Sequence, residues 1–121
     1  MAAALLALAA CAATTQAGAA DAGAADAEIR ALIGQLEGSA CRFQRNGRWH
    51  DARQAQAHLL RKYDAARRRG LSPDAEAFIE HAASRSSLSG RAYRVACPGQ
   101  AERNAGEWFA ERLAASRRAP R

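Results

Sequence analysis

The segment from 85 to 93 carries the most distinctive side-chain chemistry of the chain. It combines three hydroxyls, two guanidinium groups and an aromatic ring, supplied by Arg85, Ser86, Ser87, Ser89, Arg91 and Tyr93. Hydroxyls, exposed amides and arginines together bind small anionic or polar groups, and an aromatic ring adds a stacking surface. We therefore predict that a ligand site, if the domain has one, lies here. The alternative is structural, because hydroxyls in such a loop also satisfy backbone groups left free at a helix end.

The histidines and serines match no catalytic motif. A serine hydrolase needs a nucleophile beside a base and an oxyanion hole, and the chain lacks both Gly-x-Ser-x-Gly and Ser-x-x-Lys. His50, His58 and His81 lack zinc-ligand spacing and are predicted to be structural. For His58, beside a helix stripe, this means a partly buried, hydrogen-bonded imidazole. We predict a protein that is not an enzyme and has no metal or cofactor.

Cys41 and Cys97 are predicted to form one disulfide. Both fall on the inward-facing parity of predicted strands, and the chain has no Cys-x-x-Cys that would favour a redox pair or a metal site. In an oxidising compartment, a bond that closes so long a loop contributes about 4 kcal/mol in the chain-entropy model.

The beginning of the chain is typical of an export signal. An Ala- and Leu-rich run, Ala2–Ala13, precedes a region of small residues and is too short to span a bilayer. We expect a leader over 1–27, one domain over 28–116 and a basic tail over 117–121. Leu8-Ala9-Ala10-Cys11 also resembles a lipobox, so the alternative to a periplasmic or secreted protein is a lipoprotein acylated at Cys11.

The formal net charge of +6 points to an anionic partner. Outside the cytoplasm, where nucleic acid is scarce, the candidates are anionic lipid, phosphorylated glycolipid and acidic cell-wall polymer. The arginines are dispersed along the chain, so a solvated basic surface is the alternative explanation.

The first half of the predicted domain contains a helix, a hairpin and a second helix. An apolar stripe of helical period ends before Gly38 and consists of Ile29, Leu32, Ile33 and Leu36. Asn46-Gly47 is a strong signal for a two-residue type I′ turn. Asp51, with Gln54 three residues later, predicts a capped helix that runs to Gly70.

The second half predicts a helix, a strand and a final helix. Ser72 is a predicted N-cap with Pro73 at the first helical position. Tyr93, Val95 and Cys97 alternate as a strand, and Asn104 with Glu107 predicts a capping box for the last helix. The expected class is α+β, with a small antiparallel sheet of a hairpin plus one strand packed against about four short helices.

An ordered set of motifs also carries a resemblance. They are Phe43-x-Arg45-Asn46-Gly47 with His50, His58-Leu59-x-x-Lys62 after Ala55, Phe78-Ile79 with Ala82 and Ser84, and Ser86-Ser87-Leu88-Ser89-Gly90-x-x-Tyr93-x-Val95. Together they resemble the YfeK-like family of small proteobacterial envelope proteins. The resemblance implies a secreted single domain with no assigned activity, cofactor or catalytic residues.

The sequence thus predicts a non-enzymatic envelope binding or structural module that contacts an anionic envelope component. One alternative is a protein–protein interaction module of the periplasm, which an exposed Trp49 or Trp108 would favour. A small hydrolase is the other alternative.

Export and oxidation together predict a mass signature. Protein purified from the cell envelope should be shortened at a site before Glu28 and lighter than its dithiol form by the two thiol hydrogens. Intact mass before and after reduction measures both. Alkylation of Cys41 and Cys97 without reduction would contradict the disulfide, and a diacylglycerol on Cys11 would identify a lipoprotein.

Overall fold

The computed structural model describes residues 16–119, with side chains from residue 21 onward. Its helices are α1 (Gln16–Gly34), α2 (Ala52–Arg68), α3 (Ala75–Phe78), which continues as a π-helical turn (Ile79–Ala83), and α4 (Ala105–Arg118). Its strands are β1 (Arg42–Arg45), β2 (Arg48–His50), β3 (Arg94–Ala96) and β4 (Arg103–Asn104). The predicted α+β class is confirmed. Cys11 and most of the predicted leader lie outside the described residues.

The strands form one antiparallel sheet in the order β2-β1-β3-β4. Phe43 lies opposite His50 on one side and Val95 on the other, so β1 is a central strand. Cys41 and Cys97 form the predicted disulfide across a sequence separation of 56, just outside the paired residues of β1 and β3. The short strand β4 was not predicted, because two residues give no alternation to detect.

Local signals explain the hairpin and the start of α2. Asn46 and Gly47 have φ of 50° and 80°, which confirms a turn that needs positive φ at both positions. The Asp51 carboxylate accepts from the Gln54 amide at 2.8 Å, while the Gln54 side chain accepts from the Asp51 amide at 3.1 Å. The predicted capping box is confirmed.

Two other predicted caps are wrong. The carboxylate of Asp74, not the hydroxyl of Ser72, caps α3 by accepting from the Ala77 amide at 2.8 Å. An ionised acceptor next to the first turn competes better than a hydroxyl two residues earlier. Asn104 makes no side-chain cap of α4, because its amide oxygen accepts instead from Arg94 at 2.7 Å across β3 and β4.

The core lies between the sheet and the helices. Trp108 and Phe109 of α4 are buried, and their rings lie 5.4 and 6.3 Å from the ring of Phe43 on β1. The predicted stripe is also buried, with Ile29, Leu32 and Ile33 on α1 and Leu36 just beyond its end. Within the described part of the chain, no helix combines the length and apolarity needed to cross a bilayer.

Helix α1 begins well before the predicted boundary at residue 28. The hydroxyl of buried Tyr63 donates to Asp26 at 2.6 Å, and burial with this bond raises the pKa of Tyr63 to about 12. Arg117 of α4 pairs with Glu28 at 2.7 Å and also with Glu76. Asp26 therefore joins α1 to α2, and Glu28 joins α1 to α4.

Replacing Gly47 tests the hairpin turn. Gly47→Val should lower the free energy of unfolding by roughly 1–3 kcal/mol, because a β-branched residue disfavours positive φ. The position is otherwise open, since the closest atoms to an added Cβ are Arg91 guanidinium nitrogens at 3.8 Å. Gly47→Asn, which tolerates this φ, is the control and should cost much less. Equal denaturation midpoints for the two variants would contradict this account.

Candidate functional site

The predicted ligand segment forms a closed loop whose hydroxyls are largely used internally. Ser86 is buried, and its hydroxyl oxygen accepts from the amides of Leu88 and Ser89, both at 3.3 Å, and lies 3.4 Å from the Asn46 side-chain amide. The Ser89 hydroxyl donates to Asn46 at 2.6 Å. Ser87 is exposed. These contacts match the structural explanation of the loop, and they join it to the hairpin turn.

The structure separates the other three predicted site residues. Arg85 and Arg91 are exposed on the two arms of the loop. Tyr93 is 7% exposed, and its hydroxyl turns away from the loop toward α2. The six predicted residues therefore do not face one ligand.

Tyr93 instead lines a cleft of about 300 Å³, within the lower range of small-molecule sites. The apolar part of the lining comes from the sheet, α2 and α4 and includes Phe43, Ala55, Leu59 and Phe109. The polar part includes Arg45, His50, His58, Arg61 and Tyr93. No carboxylate lines the cleft among the described residues.

His58 lies at the centre of the polar wall. Arg45 Nη1 lies 3.0 Å from His58 Nδ1 and 3.5 Å from Nε2, so the nearer Nδ1 is assigned as the acceptor and the ring proton is assigned to Nε2. Nε2 lies 3.3 Å from the Tyr93 hydroxyl oxygen and donates to it. Burial, reinforced by the positive charges of Arg45 and Lys62, lowers the pKa of His58 to about 4. The imidazole is therefore neutral at neutral pH.

Lys62 completes the network one helical turn after His58. Its ammonium donates to the carbonyls of Ala82 at 2.8 Å and Arg85 at 3.3 Å, and to the Tyr93 hydroxyl oxygen at 3.2 Å. Three acceptors match the three N–H groups of a protonated lysine. Burial lowers the pKa of Lys62 while these contacts hold the charged form in place.

Tyr93 is left as a hydrogen-bond donor. Its oxygen already accepts from His58 and Lys62, and within residues 21–119 its own hydrogen has no remaining acceptor under this assignment. Burial raises the pKa of Tyr93, so the hydroxyl keeps its proton at neutral pH. Arg45 and Tyr93 thus offer donors, and no anionic group, along an apolar cleft.

Sequence reasoning identified the members of this network but not their convergence. The prediction of a partly buried, hydrogen-bonded His58 is confirmed. The spacing of His58 and Lys62 places both on one helix face, which was the available signal. The other two histidines do not join the network: His50 lines the cleft, and His81 is exposed beside Glu80. No cluster of metal-ligating side chains occurs in the part of the chain that the structure describes.

Comparison with known proteins identifies a matching family model. The model of a family described as "Family of unknown function (DUF5329)" matches residues 23–117. No curated protein and no solved structure matches the chain.

The neutral state of His58 predicts a specific pH dependence. Its pKa is 6.5 in the unfolded chain and about 4 in the folded one, so the unfolded state binds more protons between these values. Stability from this residue is fully present above pH 6.5 and is lost as the pH falls toward 4. As the pH is lowered across this window, the melting temperature of the wild type should therefore fall relative to that of His58→Gln.

His81→Gln is the matched control for that measurement, because His81 is exposed. Its melting temperature should differ from the wild type by a nearly constant amount across the same range. Glu76 and Glu111 have lowered pKa values and lose their ion pairs only below pH 4.5. Above that pH, their titration therefore does not obscure the contribution of His58 to the melting temperature. A difference between the wild type and His58→Gln that does not change with pH would contradict a neutral buried imidazole.

Proposed function

The chain belongs to the DUF5329 family, whose function is unknown, and we propose that it is a non-enzymatic binding module of the cell envelope. Its ligand is an anion with an apolar portion, held in the cleft between β1, β2 and α2. The ligand belongs to the class predicted from the net charge, an anionic envelope component. We place its binding site in the cleft and not in the segment from 85 to 93. The more specific resemblance, to the YfeK-like family, stays a prediction.

One observation carries this proposal. The polar wall of the cleft presents the Tyr93 hydroxyl hydrogen and the Arg45 guanidinium, and no carboxylate lines the cleft within the described residues. Donors without a neighbouring carboxylate bind a carboxylate or phosphate oxygen, and a site of low polarity strengthens that interaction. Phe43, Leu59 and Phe109 provide apolar surface for the rest of the ligand.

The cleft volume limits the size of the bound portion. About 300 Å³ lies at the lower end of the volumes of small-molecule sites, which suits a head group with a short chain or one ring. Fatty acids and lipid phosphates share this chemistry, with an acceptor oxygen at one end and an apolar body at the other.

The hydrogen bonds of His58 support binding rather than catalysis. A general base needs a free lone pair, and the Nδ1 lone pair of His58 accepts from Arg45 at 3.0 Å. The Ser86 hydroxyl, bonded within its loop, is also unsuited to nucleophilic attack.

The disulfide bears on where the protein works. The Cys41–Cys97 bond is compatible with an extracytoplasmic protein and supports the proposed envelope location.

The protein–protein alternative would be favoured by an exposed tryptophan, but Trp108 is 1% exposed. Trp49 is partly covered by the Arg42 guanidinium, 5.4 Å from its ring. Neither side chain supports that alternative.

Titration with short amphiphiles tests the proposed function. Octanoate and octyl phosphate should bind and shift the amide resonances of β1, β2 and α2, whereas octanol and octyltrimethylammonium should bind at least tenfold more weakly. Octanoate binding alone would identify a carboxylate ligand, and octyl phosphate binding alone a phosphate ligand. Equal binding of octanol and octanoate, or no binding of either anion, would overturn the proposal.

Tyr93→Phe removes the hydroxyl donor together with the oxygen that accepts from His58 and Lys62. Because one hydrogen bond to a charged oxygen is lost, anion affinity should fall about tenfold or more while octanol affinity stays unchanged. Tyr63→Phe is the matched control, since its hydroxyl bonds to Asp26 outside the cleft, and it should lower stability but not affinity. An equal loss of affinity in both variants would show that fold damage, not the donor, is responsible.

A further inference from the structure

We propose that the loop Arg85–Arg91 docks this protein on the surface of an anionic lipid bilayer. Leu88 at the loop tip inserts among the head groups, and Arg85 and Arg91 contact lipid phosphates on either side of it. This membrane contact is separate from ligand binding in the cleft and uses none of the cleft residues.

The side chain of Leu88 is held out in water on an ordered loop. It is 98% exposed, whereas Leu71, the other exposed large apolar residue of the described chain, is 55% exposed. The loop is closed by the Gly90 amide, which donates to the Ser86 carbonyl at 2.9 Å, and by the Leu88 amide, which donates to the Ser86 hydroxyl oxygen at 3.3 Å. A leucine fixed in this position can enter an apolar phase without reordering its backbone.

Positive charge flanks the tip on two sides. Arg85 bridges to Ala92, and the Ser86 amide donates to the Arg91 carbonyl at 2.9 Å. Because neighbouring residues on an extended strand alternate sides, Arg85 and Arg91 leave the loop on opposite faces. The guanidinium of Arg91 lies over Gly47, next to exposed Arg48 of β2.

These arginines differ from the paired arginines elsewhere in the protein. Among the described residues, no carboxylate lies within 4.0 Å of Arg48, Arg85 or Arg91, whereas Arg103 and Arg117 form ion pairs with glutamates. Glu107 lines the same shallow depression as Arg85 but does not pair with it. The loop arginines therefore keep their full charge available for an external anion.

The segments around the loop contain no acidic residues, so the positive charge extends beyond the loop across one end of the domain. No Asp or Glu occurs in 38–50 or in 81–101. The hydrogen bonds of Asn46 to Ser86 and Ser89 bring the two segments together, so the basic loop and the basic hairpin turn are neighbours. Such a cluster attracts the negative surface of an anionic leaflet.

The chemistry of the loop favours a lipid surface over other anionic partners. One apolar side chain is too little for the buried centre of a stable protein interface, which covers roughly 800 Å² on each partner. A free anion would need donors that converge, but the Ser86 hydroxyl bonds within the loop and the two flanking arginines diverge. A bilayer needs only a short apolar tip and cations around it.

Vesicle co-sedimentation tests this docking. The protein should bind vesicles of equal parts phosphatidylglycerol and phosphatidylcholine, and binding should weaken with salt and be absent on pure phosphatidylcholine. Each arginine near an anionic leaflet is worth about fivefold in partitioning, so Arg85→Glu with Arg91→Glu should reduce binding at least about 25-fold. Leu88→Ser should reduce it about tenfold, as expected for loss of an inserted side chain.

Matched variants test whether vesicle binding depends on the loop or on any exposed arginines and leucine. Arg68→Glu with Arg69→Glu makes the same charge change at the exposed end of α2, and Leu71→Ser removes the other exposed leucine. Both should keep most of the binding. Equal losses in these controls, equal binding to both vesicle types, no vesicle binding at all, or full competition by soluble glycerol phosphate would each overturn membrane docking through the loop.

Tyr93→Phe makes the membrane test independent of the cleft. This variant should lose octanoate affinity and keep its vesicle binding, whereas the arginine double variant should show the reverse. If Tyr93→Phe lost vesicle binding to the same extent as the arginine variant, the two functions would share one site and the loop would not be the docking surface.

Discussion

The pairing of β1 with β3 is the constraint on which the rest of the structure depends. These strands are far apart in sequence, and the Cys41–Cys97 bond joins them at one end of the paired residues. The same pairing sets Arg45, at the end of β1, close to Tyr93, just before β3, so that both contact His58. Without this pairing, the cleft would lose the alignment of its two donors.

The polar contacts of the domain are of two kinds. The ion pairs of Arg117 and Arg103 connect exposed groups, and such pairs contribute little individually. The network of Arg45, His58 and Lys62 is partly buried, and each of these side chains has at least one hydrogen-bond partner within it. Because hydrogen bonds are stronger in low dielectric than in water, this second set has much less freedom to rearrange.

Signals that depend on a few adjacent residues predicted the fold well. Asn46-Gly47 and Asp51 with Gln54 were correct, because the geometry of each motif is complete within four residues. Ser72 and Asn104 failed as caps because a neighbouring carboxylate, or a partner across the sheet, competed for the same role. The cleft could not be predicted in this way. It depends on the order of the strands, which brings Arg45, His58 and Tyr93 together from separate motifs.

Because of the bond between Tyr63 and Asp26, the position of any N-terminal cleavage would bear on the durability of the domain. A cut just before Glu28 would remove the acceptor of a buried phenol, while a cut nearer Gln16 would leave it intact. Two forms cut at these two positions would then keep the same cleft but resist heat and proteases differently. The position of the cut would set the lifetime of the protein and leave the cleft unchanged.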